Sequence, residues 1–171
     1  AKLWDLPIIY APWMEFPLSN ERKSGFLTPI LGSSGVRGFE FAAPYYFNLA
    51  PNYDATLVPR YMTKRGLQLG GQFRYLLGDA DSPLGQAAGE VNAEFLPHDK
   101  VTDTNRYAFN WKHNEQFTQN LARFVNIQKV SDDTYFADLA DRIAVTSQRT
   151  LPRDGGLVYT QGPWQFLARA Q

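Results

Sequence analysis

The sequence predicts an all-β chain laid out as an antiparallel meander with one short helix. Period-two alternation recurs along it, while no stretch longer than about nine residues holds a 3.6-residue period. Clusters of Gly, Pro, Asn, Asp and Ser separate the alternating runs. Within each run the two faces differ in chemistry: Phe, Tyr, Trp, Leu and Ala fill one row, charged and amide side chains the other.

Residues 1–35 stand apart from this pattern. LPIIYAPWMEFPL mixes short apolar pairs with Pro7, Pro12 and Pro17, and ERKSGFLTPILGSSG adds charge and glycine. This part reads as an extended connector with one strand at Leu6 to Tyr10, ahead of a β body over 36–171.

The body opens on Phe39, Phe41, Ala43, Tyr45, Phe47 and Leu49 in one row with Glu40 opposed. Pro51 and Asn52 turn the chain, both being turn-favouring types. The return strand carries Ala55, Leu57, Pro59 and Tyr61 in its apolar row and Arg60 on the other. Pro44 and Pro59 are thus expected inside strands, where each removes an N–H from the ladder. A symmetric hairpin about Pro51-Asn52 would set them face to face. Cross-strand partners share a face, so odd positions must pair with odd. That favours an odd-length loop or a bulge, with the two prolines one position out of register.

GLQLGGQFRYLL follows, with Leu67, Leu69, Gly71, Phe73, Tyr75 and Leu77 opposite Gln68, Gly70, Gln72 and Arg74. QAAGEVNAEF places Ala87, Gly89, Val91, Ala93 and Phe95 opposite Glu90, Asn92 and Glu94. RYAFNWKH sets Tyr107, Phe109 and Trp111 against Asn110 and Lys112. In NLARFVNIQKV the division blurs, with Phe124 on the polar face, and it returns in WQFLA. Turns are expected at Thr63 to Gly66, Gly78 to Pro83, Pro97 to Asn105 and Asn114 to Gln116. SDDTYFADL predicts the helix near 132–139, with Ser131 or Asp132 as cap and Asp133 at the positive end of its dipole.

Charge and motifs narrow the function classes. The 17 basic and 17 acidic residues balance and no Lys/Arg cluster forms, so no nucleic-acid partner is expected. Without cysteine there is no internal disulfide, redox CxxC or thiolate zinc site. His98 and His113 lack a second histidine at ligand spacing, and no nucleophile elbow, phosphate loop or dinucleotide motif is present; no metal, cofactor or catalytic residue is assigned. Glu90 and Glu94 share a face, but four strand positions separate them by ~13 Å, beyond the spacing of a retaining glycosidase. The chain begins at Ala1 without an n-region or h-region, which reads as a mature fragment or excised piece. No apolar run reaches the ~20 residues of a membrane helix, which excludes a helical span and nothing more.

Two architectures accommodate these strands. A soluble sandwich also shows one face to a core and one to water. Its strands usually run ~5–6 residues, however, whereas a tilted bilayer-crossing strand needs ~9–11, and the segments 66–77, 86–96, 105–113 and 119–130 are of the longer kind. In a barrel, Leu67, Leu69, Phe73, Tyr75, Val91, Phe95, Tyr107, Phe109 and Trp111 are the lipid-facing candidates. Glu40, Arg60, Gln72, Arg74, Glu90, Asn92, Glu94, Asn110 and Lys112 are the lumen-facing ones.

PYYFNLAPNYDATLVPRYMTKRGLQLGGQFRYL closely resembles the early barrel strands of the LptD family of outer-membrane lipopolysaccharide assembly proteins, also called organic solvent tolerance proteins. IIYAPWMEFPLSNERKSGFLTP is similar to that family's passage from a periplasmic jelly roll into the barrel, and EFLPHDK and KVSDDTYFADL to later landmarks. The resemblance spans most of the chain and is weakest after Arg142. It implies transport rather than catalysis. Residues 1–35 would end the periplasmic jelly roll and linker; 36–171 would supply about eight strands of an unclosed barrel in the Gram-negative outer membrane. The implied partners are lipopolysaccharide, outer-membrane lipids, an LptE lipoprotein plug, and periplasmic bridge proteins reached through the jelly roll. The family's gate prolines match Pro44 and Pro59, which makes these the lateral-gate candidates. The alternatives are another outer-membrane barrel, porin-like or enzymatic, and a soluble β-sandwich binding module.

Overall fold

A computed structural model describes residues 2–3, 6–7, 22–78, 85–140 and 151–171. Strands β1 (Lys2–Leu3) and β2 (Leu6–Pro7) pair with each other. The rest of the strand expected at Leu6 to Tyr10 lies outside the described residues. All other strands join one antiparallel sheet of 11. They are β3 (Gly25–Phe26), β4 (Ile30–Ser34), β5 (Gly38–Ala42), β6 (Tyr45–Ala50), β7 (Tyr53–Met62), β8 (Gly66–Leu77), β9 (Gln86–Asp99), β10 (Thr104–Gln116), β11 (Leu121–Val130), β12 (Arg153–Gln161) and β13 (Trp164–Ala170). Each strand from β7 to β13 pairs with its sequence neighbour, and the sheet remains open. Beyond position 36, with β5 and β6 counted as halves of one broken strand, eight strands follow. Residues on both sides of that position enter the sheet, because β3 pairs with β6 and β4 with β5.

Even-numbered residues of β7 to β10 face the side that carries the helix α1 (Tyr135–Leu139). Met62 and Leu96 are buried there against Tyr135 and Leu139, with Ala108, Val130 and Phe136 packed around them. This small core occupies one end of the sheet, the helix end. On the opposite face, Leu57, Tyr61, Leu67, Leu69, Phe73, Phe95, Tyr107 and Phe109 remain exposed.

Four boundaries differ from the sequence expectation. β9 continues through Pro97 to Asp99, because a register shift opposite Asn105 absorbs the proline and lets His98 take a φ of 55°. Asn105 steadies that bulge by accepting from the His98 N–H at 3.0 Å. β10 runs through Asn114 to Gln116, since these pair fully with both neighbours. β12 arises from a segment not singled out above. Its glycines leave no row to read: Gly156 lies under the Phe124 ring, where an added Cβ would come within 2.9 Å. Finally, α1 begins at Tyr135 with Thr134 at the cap position and no side-chain cap bond. Asp132 does not cap it; its carboxylate accepts from the Thr134 N–H in a tight turn, and also from Arg106 and the Ser131 and Thr134 hydroxyls.

Candidate functional site

The first strand is broken at Pro44, which faces the upstream chain; the donor missing from the ladder against β7 is that of Pro59, opposite Ala43. Ala42 pairs with Arg60 and Tyr45 with Leu57, so the register against β7 is the same on both sides of the gap. Between them the ladder lapses, and a single bond from the Ala43 N–H to the Pro59 carbonyl, 3.1 Å, crosses it. Pro59 therefore faces Ala43 and Pro44 faces Val58, one position out of direct register, as face parity requires. The compensating irregularity is a bulge between Asn48 and Ala50, next to the Pro51-Asn52 turn. Pro44 sits between β5 and β6, not within a strand, while Pro59 stays inside β7 paired with Leu69. The outer edge of this seam is lined by the upstream chain, the Leu27 N–H donating to the Pro44 carbonyl at 2.8 Å.

Behind the seam the even-numbered face carries cross-strand rows of polar groups. Asp54, Arg74, Glu90 and Lys112 form one row; Thr56, Gln72, Asn92, Asn110 and Gln128 form the next. Arg74 donates to both Asp54 oxygens at 2.8 Å, and Gln72 and Asn92 both donate to Glu90 Oε1. Nearer the helix end Arg60 and Arg37 converge on Glu40, at 2.5 and 3.1 Å. The same two guanidiniums donate to the Leu139 and Ala140 carbonyls at the end of α1, tying the helix to the first strand. Tyr135 donates to Glu94 at 2.6 Å, and Gln68 donates to both. Burial and the Glu94 charge push the Tyr135 phenol well above its usual range, so it stays a neutral donor. A cavity of about 340 Å³ opens here, lined by Glu40, Ala42, Val58, Arg60, Gly70 and Glu94 among others.

All nine polar candidates lie on this helix-bearing face. The apolar candidates lie on the other, where the register builds the rows Leu69, Phe95, Tyr107 and Phe73, Val91, Trp111. Sequence reasoning missed the cluster that anchors α1. Arg106, 1% exposed, bridges the fully buried Asp99 and the more open Asp132 and Asp138, while Arg65 also reaches Asp99 and Asp138. Burial opposes the Asp132 charge, but bonds from Arg106, Ser131 and Thr134 hold its pKa down to about 2. Row parity alone puts Arg106 on the polar face; its acidic partners come from two separated segments, the end of β9 and the turn and helix at 132–138.

The family described as "LPS transport system D" matches residues 104–171. The chain is 49% identical over 160 residues to the LPS-assembly protein LptD of Azoarcus sp. strain BH72, covering 94% of this chain and 19% of that protein. It is 43% identical over 167 residues to LptD of Cupriavidus necator, covering 97% of this chain and 20% of that protein. The LptD of Legionella pneumophila strain Lens is 41% identical over 187 residues, covering 99% of this chain and 22% of that protein. The chain thus spans about a fifth of the length of these relatives. With likeness at this level along nearly all of its length, the chain belongs to the LptD family of LPS-assembly proteins.

Proposed function

We propose that this chain forms the first strands of an outer-membrane β-barrel that delivers lipopolysaccharide to the outer leaflet, with the seam at Pro44 and Pro59 on one side of a lateral gate. In this reading 36–171 is the N-terminal part of the barrel and 1–35 the periplasmic jelly-roll end and linker. The helix-bearing face lines the lumen, where an LptE plug sits, and periplasmic bridge proteins deliver the lipid through the preceding jelly roll. The work is transport, without a bond made or broken.

The observation that carries this is the pairing of a polar face with an opposite face of exposed large apolar side chains, on strands of 10 to 14 residues from β7 to β11. Such strands suit a bilayer and a wet lumen. A soluble sandwich would bury the apolar rows under a second sheet, and among the described residues no second sheet covers them. Three buried polar atoms, Asn110 Nδ2, Asn126 Oδ1 and Gln128 Oε1, have no partner among the described residues, which suits a face that meets water or another protein. A net hydrogen bond contributes only ~0.5–1.5 kcal/mol, so one or two missing bonds at the seam bias opening without unfolding the sheet.

Replacing Pro44 and Pro59 together with alanine in the whole protein restores one N–H donor facing Ala43 across the gap, at position 59, and one facing Leu27 on the outer edge, at position 44. Lipopolysaccharide export should fall, read as surface lipopolysaccharide in cells whose wild-type copy is depleted. Unchanged surface delivery would remove the gate from this account.

A further inference from the structure

Resting on that membrane reading, we infer that the outward face carries, at the end away from α1, a binding site for the sugar head group of an outer-leaflet glycolipid, lipopolysaccharide itself. The site lies in two adjacent cross-strand rows. Tyr53, Tyr75, Gly89 and His113 form one; Leu77, Ala87, Glu115 and Arg123 form the other. All of these but Gly89, together with Phe73, line a groove of about 540 Å³.

The polar end of the groove is built. Tyr75 lies flat over Gly89, where an added Cβ would come within 2.2 Å of its ring and oxygen, so only glycine lets the phenol cross β9 to reach β10. Its oxygen stands 2.8 Å from His113 Nδ1 and accepts from Trp111 Nε1 at 3.2 Å. Arg123 lies 3.2 Å and Glu115 Oε2 3.4 Å from His113 Nε2, and the two pair with each other at 2.5 Å. Arg123 is the nearer and can only donate, which makes Nε2 the acceptor and assigns the imidazole proton to Nδ1, donating to Tyr75, whose oxygen then holds two incoming bonds. The Tyr75 O–H is left to donate into the groove. Beside it stand the Glu115 carboxylate as acceptor and the Arg123 guanidinium, 45% exposed, as donor.

This arrangement selects its ligand. Donor, acceptor and aromatic surface side by side suit the hydroxyls and the apolar ring face of a sugar. The Glu115 carboxylate disfavours a lone phosphate. The floor of Tyr53, Phe73, Leu77 and Ala87 runs into the exposed apolar rows, which gives acyl chains a continuous path. Height agrees: at a barrel tilt of ~40° the 12 residues of β8 rise ~30 Å against an apolar band of ~25 Å, so Tyr75, three positions from the end of its strand by inclusive count, stands at the rim of that band, where aromatic girdles meet the head groups.

The test places a photo-reactive phenylalanine analogue at single positions of the whole protein in living cells and probes adducts with antibody to lipopolysaccharide. Ala87 reports the groove, Ala93 the same face outside it, and Val58 the cavity behind the seam. A stronger lipopolysaccharide adduct at Ala87 than at Ala93 is expected. It should fall about threefold to tenfold with Tyr75→Phe or Glu115→Gln, the loss of one net hydrogen bond. Barrel folding in each variant is checked by heat-modifiable gel mobility, and either variant suffices. Equal adducts at Ala87 and Ala93, an adduct indifferent to both variants, or a protein adduct instead would overturn the site. An adduct at Val58 without one at Ala87 sinks the site and keeps the export reading; the reverse keeps the site and sinks export through the lumen.

Discussion

Replacing Arg106 with leucine removes the group on which the packing of α1 depends. All five of its N–H donors are used: two on Asp132, one each on Asp99, Asp138 and Thr134. Leucine leaves the fully buried Asp99 with Arg65 and the Val101 N–H, and Asp138 with Arg65 and the Thr134 hydroxyl. Breaking a buried ion pair by deleting one partner costs about 3–5 kcal/mol, and the surviving Arg65 contacts put this case near about 3 kcal/mol. Spent on local opening, that corresponds to roughly a hundredfold faster exchange of the amides that close α1. Those amides are Asp138, bonded to the Thr134 carbonyl, and Ala140, bonded to that of Phe136. Hydrogen exchange of the whole protein in detergent, read by mass spectrometry over 131–140, measures it directly. Arg106→Lys should behave almost as badly, since an ammonium cannot grip both Asp132 oxygens at once. Asp133→Asn, at a residue with no described side-chain partner, is the control. Exchange over 131–140 within about threefold of wild type in Arg106→Leu would show that the ion cluster does not hold the helix.

The same cluster predicts an acid response. The Asp132 pKa is lowered from 3.8 to about 2 in the folded chain, so its contribution is complete above 3.8 and is lost as pH falls toward 2. Exchange over 131–140, taken relative to the intrinsic amide rate at each pH, should therefore rise through that window, and Asp132→Asn should flatten the rise; an unchanged profile refutes the assignment. Met62→Ala should lower the denaturation midpoint of the whole protein by the equivalent of about 2–5 kcal/mol, because Met62 is fully buried against Leu96 and α1. Leu67→Ala, on the opposite face and 47% exposed, should cost a fraction of that; equal losses would argue against the assignment of faces.

The alternating rows were legible because strand side chains point to opposite sides whatever the tertiary context. So was the offset of the prolines, since face parity forbids odd-to-even pairing and Ala43 duly faces Pro59. β12 escaped because a glycine pair carries no facial signature, and its need for glycine is visible only with Phe124 lying over it. The turn at Pro97 to Asn105 was drawn too long because proline ordinarily ends a strand, and only the paired bulge shows how β9 continues.

The sequence by itself determined the fold class, the two faces and the place of the seam, all of which follow from local periodicity and from the missing proline N–H. Tertiary structure alone decided which charges meet. Arg106 gathers Asp99, Asp132 and Asp138, and Tyr75 crosses Gly89 to reach His113, because sheet register and the return of α1 bring together residues 7 to 38 positions apart. Contacts at that separation depend on where strands end and how loops fold back, and no short window of sequence carries that information.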